Sequence, residues 1–250
     1  MQRGAYKHVI QGLARRMGYQ IRRVDGDVDF VDAYGEQVRL LRGKPVETIF
    51  EVGAADGTHC VKYADQFPTA RVVAFEPLPA SFQKLQANAA TRPGRVVAVN
   101  CALSDSIGVA RFHQAEWDDA SSLLTPNQTG STHDQYNASK GTIEVRTDTM
   151  DAYCAANGVT RIDLLKMDAQ GAEMRILAGA EETLAKRGIQ VIYTEINFLE
   201  NWSGAARFDR LMTHLTDRGY RLHNLYNLVA NQKGQLAWGD AIFVANTLSY

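Results

Sequence analysis

Short apolar runs alternate with segments of helical length from Pro45 to the end of the chain, and this alternation constrains the fold most. Strands that are separated by helices form βαβ units in a largely parallel sheet, with helices on both faces. We therefore predict an α/β, Rossmann-like fold with a mostly parallel, seven-stranded sheet. A strand at 109–113 is expected to pair antiparallel with the third strand across the turn at 106–108. The predicted strands are 47–54, 72–75, 95–103, 109–113, 162–168, 190–196 and 239–246, and the predicted helices are 57–67, 80–90, 172–187 and 208–219.

The composition is that of a globular protein without a strong charge bias. The chain has 250 residues, 45% hydrophobic and 22% charged, and its 27 basic and 28 acidic residues leave a net charge of −1. This balance speaks against a nucleic-acid partner. The cysteines Cys60, Cys101 and Cys154 are too few and too far apart for a disulfide framework, and no apolar run reaches 18 residues. We therefore expect a cytoplasmic protein with no transmembrane segment, and the oligomeric state stays open.

Residues 1–44 differ from the rest of the chain. They are basic, without an acidic residue as far as Val24, and Val9, Ile10, Leu13 and Met17 recur at helical spacing. We predict a helical extension that packs against the main domain, with peripheral membrane contact as the alternative. The main domain is predicted to span 45–250, with a polar insertion at about 114–141 that forms either a lid or a disordered loop.

A glycine-containing turn follows the first predicted strand of the main domain, in the sequence Glu51-Val-Gly53-Ala-Ala-Asp56-Gly57-Thr58. Glycine permits a tight turn from strand to helix and the close approach of a ligand. Glu76 ends the next strand, where an acid can bind the two hydroxyls of an adenosine ribose. The two features together predict a cofactor that contains adenosine.

The spacing of the glycines selects the type of cofactor. A dinucleotide site needs G-x-G-x-x-G, but Ala55 and Thr58 stand where its second and third glycines would lie. The acids Glu51 and Asp56 would repel a diphosphate, whereas S-adenosylmethionine has no phosphate and carries positive charge. An NAD-dependent dehydrogenase is therefore the less favoured enzyme.

A second motif, from Lys166 to Glu173, closes the predicted strand that follows the polar insertion. Asp168 ends that strand, and Glu195 and Asn197 end the next one. Ligands of open parallel sheets lie outside the carboxyl ends of the strands, so these groups should lie close together. Two carboxylates and an amide could hold Mg²⁺ or orient a substrate hydroxyl. Glu173 is expected to be a first-turn helix acid.

Several motifs occur in the order typical of one enzyme family. FEVGAADG, VVAFEPLPASFQKLQANA, CALSDSIG, SSLL, LLKMDAQGAEMRILAGA and GDAIFV span about Thr48 to Asn246. Over this range the chain resembles FkbM-type methyltransferases. The resemblance implies the class I methyltransferase fold, dependence on S-adenosylmethionine and O-methylation of sugars or natural products. The chain has Gln170 where the family more often has Glu, and Ala55 where it more often has Asn. These departures keep open a catalytically impaired scaffold that binds the cofactor without turnover.

The resemblance also assigns roles within the cofactor site. It implies that Gly53 and Gly57 bracket the methionine moiety, that Glu76 holds the ribose, and that Ala102 and Leu103 flank the adenine. The full set predicted to bind the cofactor is Glu51, Gly53, Ala54, Asp56, Gly57, Thr58, Glu76, Pro77, Leu78, Ala102, Leu103 and Asp168.

The expected chemistry is methyl transfer to a hydroxyl of a small molecule or a glycan. Asp168 and Glu195 are predicted to orient or deprotonate that hydroxyl, with or without Mg²⁺ bound by Asp168, Glu195 and Asn197. Lys166 is expected to be an ion-pair partner or a site residue. The alternative bases are His113 and His133, and the aromatic residues that could stack on a sugar or belong to the core are Tyr193, Phe198, Trp202, Tyr226 and Trp238.

Overall fold

The computed structural model describes residues 32–116, 120–127 and 138–249. In these residues the chain forms seven helices and ten strands. The strands are β1 (Thr48–Val52), β2 (Arg71–Phe75), β3 (Val96–Val99), β4 (Ala102–Leu103), β5 (Gly108–Ala115), β6 (Ser139–Asp148), β7 (Ile162–Met167), β8 (Ile189–Asn197), β9 (Tyr220–Ala230) and β10 (Leu236–Ala245). The helices are α1 (Ala33–Leu40), α2 (Thr58–Gln66), α3 (Pro79–Ala89), α4 (Met150–Asn157), α5 (Glu173–Ala178), α6 (Glu181–Ala185) and α7 (Phe208–Asp217).

Seven strands form the main sheet in the order β3-β2-β1-β7-β8-β10-β9. Neighbouring strands are parallel from β3 to β8, and β10 runs antiparallel to both β8 and β9. The prediction of a mostly parallel, seven-stranded sheet is therefore confirmed. The strand order reverses between β1 and β7, and the carboxyl ends of these two strands open a crevice where ligands bind in such sheets.

A smaller sheet of three strands, in the order β4-β6-β5, lies beside the main one. The predicted pairing of residues 109–113 with the third strand is wrong, because β5 pairs antiparallel with β6. The third predicted strand is interrupted after Val99, and its last two residues form β4, which pairs parallel with Thr147 and Asp148. The strand β6 was not predicted, although buried Val145 and Thr147 alternate with exposed residues.

Two apolar cores cover the faces of the main sheet. The residues Leu40, Tyr63 and Leu85 bring α1, α2 and α3 onto one face. Met150, Ile176, Leu177, Leu184 and Leu211 bring α4 to α7 onto the other. The single helix predicted at 172–187 is divided into α5 and α6 at Gly179, where a Cβ would lie 2.0 Å from the carbonyl oxygen of Ser104.

Helix α1, the first helix of the described residues, packs against the main sheet. Leu40 and Leu41 are buried in the core, and the hydroxyl of Tyr63 donates to Oε1 of Gln37 at 2.5 Å. The predicted amphipathic helix with Val9 and Met17 lies outside the described residues, so its membrane contact stays a prediction. No helix in the described part of the chain combines the length and the apolarity needed to cross a membrane.

Candidate active site

A cleft of about 220 Å³ opens at the carboxyl end of β1, where the glycine-containing turn leads into α2. The backbone N–H groups of Gly53 and Ala54 both donate to the carbonyl of Phe75, which fixes the turn against β2. Gly53 has φ of +76°, and a Cβ there would lie 1.9 Å from the carbonyl oxygen of Asp168. The glycine is thus required by the close approach of β1 and β7. Asp56 accepts from the N–H of Thr58, and this hydrogen bond lowers the pKa of Asp56.

Glu76 follows β2 and lies beside this turn in the cleft, as its position at the end of the predicted strand indicates. It is 6% exposed, and its two carboxylate oxygens accept from the N–H of Ala55 at 2.9 Å and the N–H of Leu78 at 2.8 Å. Each oxygen of a carboxylate can accept a second hydrogen bond. Glu76 is therefore a fixed acid that retains capacity for hydroxyl donors in the cleft.

Ten of the twelve residues predicted to bind the cofactor line this cleft. Gly57 and Leu78 do not: Gly57 lies over Leu85 with φ of +80°, and Leu78 is buried against Ala102 and Phe112. The far wall consists of Phe112 on β5 and of Ser121 and Leu123, which belong to the SSLL motif in the predicted polar insertion but were not among the residues predicted to bind the cofactor. The ten residues are Glu51, Gly53, Ala54, Asp56, Thr58, Glu76, Pro77, Ala102, Leu103 and Asp168.

A buried ion pair between Lys166 and Glu51 lines the cleft. Nζ of Lys166 lies 3.1 Å from Oε1 of Glu51 and 3.9 Å from Oδ2 of Asp168. Burial lowers the pKa of Lys166, but Glu51 and Asp168 raise it by more, so it lies above its ordinary value. The thiol of Cys60 donates to the other oxygen of Glu51 at 2.8 Å. Lys166 is thus a charged partner that is held in place by two acids.

A second cavity of about 450 Å³ adjoins the cleft, and His59, Lys166 and Asp168 line both. The side chain of Asp168 is 47% exposed at this junction. Part of the wall comes from α1, which the sequence did not assign to a site, and part comes from the hairpin of β9 and β10, which carries the predicted stacking candidate Trp238. The remaining lining residues are Tyr34, Gln37, Lys62, Tyr63, Met167, Gln170, Tyr193, Glu195, Asn227, Trp238 and Asp240.

The turn after β7 brings Asp168 and Glu195 together, as predicted from their positions at neighbouring strand ends. Nε2 of Gln170 donates to Oδ1 of Asp168 at 3.0 Å and to Oε2 of Glu195 at 3.1 Å. Nδ2 of Asn197 donates to Oε1 of Glu195 at 3.3 Å. Burial, together with Asp168, Glu173 and Asp240, raises the pKa of Glu195 well above its ordinary value. The two acids are therefore bridged by an amide.

This bridge does not suit the predicted Mg²⁺ site. The amide N–H groups of Gln170 occupy the space between the two carboxylates, and a hydrogen-bond donor there repels a cation. The side-chain oxygen of Asn197, Oδ1, also accepts a hydrogen bond from Nδ2 of Asn201 at 2.9 Å. Among the described residues, no group of three or more His, Cys, Asp or Glu side chains is arranged to hold a metal ion.

Glu173 lies in the first turn of α5, as predicted, and it also binds the backbone of the turn before that helix. It is 3% exposed, and its Oε1 accepts from the N–H of Ala169 at 3.0 Å and of Gly171 at 3.3 Å. Burial raises its pKa to about 7. The hydroxyl of Ser122 donates to the carbonyl of Gln170 at 2.7 Å on the other side of the turn. Glu173 and Ser122 thus hold the backbone that presents Asp168 and Gln170.

The other candidate side chains divide between the second cavity and the core. Tyr193 and Trp238 line the cavity, and the hydroxyl of Tyr193 donates to Asp240 at 2.8 Å. Trp202 and Tyr226 are buried, and Phe198 packs against the core. His113 lies on β5, outside both cavities, with its Nε2 3.2 Å from the hydroxyl of Thr125, and His133 lies outside the described residues.

Comparison with known proteins identifies the family. The model of the FkbM methyltransferase domain matches residues 51–222. The chain is 33% identical to the 2-O-methyltransferase NoeI of Sinorhizobium fredii, over 67% of this chain and 70% of that protein. It is 30% identical to the 31-O-demethyl-FK506 methyltransferase FkbM of Streptomyces tacrolimicus, over 74% and 81% of the two chains. It is 28% identical to the hexuronic acid methyltransferase AglP of Haloferax volcanii, over 66% and 64%.

The cleft fits the cofactor that such a family requires. Glu76 can accept from ribose hydroxyls, Leu103 and Phe112 offer apolar surface to a base, and Asp56 gives the glycine turn a negative charge that suits a cationic ligand. The match to a methyltransferase family excludes the dehydrogenase alternative. The order of the strands, the acid-flanked turn and the family match lead to one conclusion: this chain belongs to the FkbM family of S-adenosylmethionine-dependent methyltransferases.

Proposed function

We propose that the protein methylates a hydroxyl group of a sugar or a related natural product that binds in the second cavity. The observation that carries this proposal is the position of Asp168, whose half-exposed carboxylate lies where the cofactor cleft meets that cavity. The O-methyltransferase activities of NoeI and FkbM support a hydroxyl-bearing acceptor, and the activity of AglP on a hexuronic acid supports a sugar.

The proposed mechanism needs little more than positioning and one proton acceptor. S-adenosylmethionine supplies a methyl group that its sulfonium already activates. Asp168 accepts a hydrogen bond from the acceptor hydroxyl and would take its proton, while the bound cofactor would supply the methyl group and leave as S-adenosylhomocysteine. Holding the hydroxyl oxygen in line with the methyl group accounts for most of the acceleration.

The neighbours of Asp168 act as positioning residues in this mechanism. Gln170 ties Asp168 to Glu195, and Lys166 lies 3.9 Å from the other carboxylate oxygen of Asp168. Because the pKa of Glu195 is raised, Glu195 is suited to holding the amide of Gln170 and less suited to taking a proton at neutral pH. We therefore assign the base to Asp168, and we assign the orientation of that base to Glu195 and Lys166.

The wall of the second cavity suits a polyhydroxylated ligand. The aromatic side chains of Tyr193 and Trp238 provide flat apolar surface of the kind that packs on a sugar ring. Asp240 lies among them and accepts from both Tyr193 and Asn227. Aromatic faces beside carboxylates offer both apolar contact and acceptors for hydroxyl donors.

Substitution of the two acids tests the assignment. Asp168→Asn keeps the shape of the side chain but cannot take a proton, so kcat should fall about 100-fold or more. Glu195→Gln should reduce kcat less. Binding of S-adenosylhomocysteine, measured by calorimetry, shows whether either change acts through the cofactor cleft. Normal turnover in Asp168→Asn would refute the proposed base, and turnover by no acceptor in a broad screen would favour a scaffold role.

Removal of metal tests the alternative in which Mg²⁺ assists the reaction. The amide bridge of Gln170 leads us to expect that EDTA changes the rate by less than about twofold. Loss of activity that Mg²⁺ restores would contradict this expectation. A cytoplasmic location stays a prediction.

A further inference from the structure

Gln170 has a polar atom that the fold leaves unused. The side chain lines the second cavity and is only 8% exposed, yet its Oε1 is buried and has no hydrogen-bond partner among the described residues. A buried acceptor without a donor destabilises the state in which it is left unpaired. Such an atom beside a ligand cavity calls for a donor from the ligand.

The side chain cannot satisfy this atom by turning over. Nε2 donates to Asp168 and to Glu195, and a rotation of the amide would point Oε1 at the carboxylate of Asp168 and leave Nε2 with neither acceptor. A carboxylate accepts hydrogen bonds and does not donate them. The backbone of Gln170 is also held, because Ser122 donates to its carbonyl. The amide is therefore fixed with its oxygen directed away from the two acids.

We propose, on the basis of the function proposed above, that Gln170 binds the methyl acceptor directly and thereby selects a vicinal diol. Asp168 accepts from the hydroxyl that is methylated, and Oε1 of Gln170 accepts from the hydroxyl on the neighbouring carbon. Both acceptors are connected through the amide of Gln170, whose nitrogen donates to Asp168, and hydroxyls on adjacent carbons are the pair of donors that such neighbouring acceptors suit. Acceptor groups on this edge of the cavity favour hydroxyl or amino donors and disfavour a carboxylate or a phosphate at that position.

A cycle of substrate and enzyme changes tests this role. S-adenosylhomocysteine release is measured with a panel of methyl hexopyranosides and methyl 6-deoxyhexopyranosides, and the position of methylation is determined by NMR. For the glycoside that is methylated, the derivative that lacks the neighbouring hydroxyl should lose about 10- to 100-fold in kcat/KM with the wild-type enzyme. In Gln170→Met that penalty should fall to less than threefold, because the unpaired acceptor is gone.

Gln37 offers a matched control in the same cavity. Its side chain is 1% exposed, and its Oε1 already accepts from the hydroxyl of Tyr63. Gln37→Met makes the same chemical change without removing an unpartnered acceptor, so the penalty for the missing hydroxyl should persist. A penalty that is equal in wild type and Gln170→Met would refute the role of Gln170.

Two further results separate failure of this inference from failure of the proposed function. If no glycoside in the panel releases S-adenosylhomocysteine, the sugar acceptor itself is refuted, and the inference falls with it. If Gln170→Met does not fold, a crystal structure of the wild-type enzyme with S-adenosylhomocysteine and the methylated glycoside decides the question. A hydroxyl at hydrogen-bond distance from Oε1 supports the proposal, and the absence of one overturns it.

Discussion

Gly53 allows a sharp test of how β1 and β7 form the cofactor cleft. With φ of +76°, it lies in the left-handed region, which costs an alanine about 1–2 kcal/mol. Its Cβ would also lie 1.9 Å from the carbonyl oxygen and 2.9 Å from the carbonyl carbon of Asp168, and both are backbone atoms that cannot rotate away. Relief of such a clash typically costs a further 1–3 kcal/mol or so.

Gly94 provides the control for the conformational part of this cost. It has φ of +74°, but no atom lies within 4 Å of the place where its Cβ would be. Gly94→Ala should therefore lower the free energy of unfolding by about 1 kcal/mol, since the loss of chain entropy in the unfolded state offsets part of the strain. Gly53→Ala should lower it by about 2–4 kcal/mol, because the clash with Asp168 is added.

Urea unfolding measures both changes in the free energy of unfolding, and calorimetry measures how tightly S-adenosylhomocysteine binds in the cleft. We expect Gly53→Ala to weaken binding at least about tenfold, since the turn and Asp168 both line the cleft, and Gly94→Ala to leave it unchanged. Equal losses of stability in the two variants would refute the close contact of the two strands. Unchanged binding in Gly53→Ala would refute the position of the cleft.

Three further predictions concern the buried acids and the glycine turn. Lys166→Met leaves the carboxylate of Glu51 charged and 1% exposed without its partner, and it should lower the free energy of unfolding by about 3–5 kcal/mol. Adding Glu51→Gln should restore most of this loss in urea unfolding. If the double variant shows no recovery, the ion pair is contradicted. Burial raises the pKa of Glu173 to about 7, so this group contributes stability that is fully present below its ordinary pKa of about 4.5 and is lost as the pH rises to 7. The stability of the wild type relative to Glu173→Gln should thus fall by up to about 1.4 kcal/mol per pH unit in that window, and a difference that does not vary with pH would show that Glu173 stays charged. Ala55 has φ of +48°, a left-handed conformation that asparagine adopts more readily than alanine. Ala55→Asn should therefore raise the free energy of unfolding by about 0.5–1 kcal/mol. A lowered melting temperature would show that the turn is not strained.

The sequence predicted best those site residues whose position follows from the direction of the strands. Parallel strands end at the same edge of a sheet, so Glu51, Glu76, Asp168 and Glu195 could be assigned to one edge before their neighbours were known. The spacing of the glycines likewise predicted a turn between β1 and α2. These inferences needed only local patterns and the rule that strands separated by helices run parallel.

Such patterns could not predict contacts between parts of the chain that are distant in sequence. Nothing in the order of residues indicates that Tyr34 on α1 and Trp238 on β10 line the same cavity, because a periodicity shows which face of an element is apolar and not what covers it. The bridge made by Gln170 was missed for a related reason. Its amide acts through a backbone with φ of +52°, and only the three-dimensional turn directs it toward both acids.

Residues 32–50 and 223–249 contribute to the sheet and to the second cavity, and this affects where the enzyme can be shortened. A fragment reduced to residues 51–222 would contain the residues of the glycine turn and of the buried ion pair, but it would lack the first three residues of the central strand β1. It would also lack Tyr34, Gln37, Asn227, Trp238 and Asp240 from around the second cavity. It would also lose β10 and strip β8 of its outer neighbour, which leaves an open row of backbone donors and acceptors. Such a fragment should self-associate through that exposed strand.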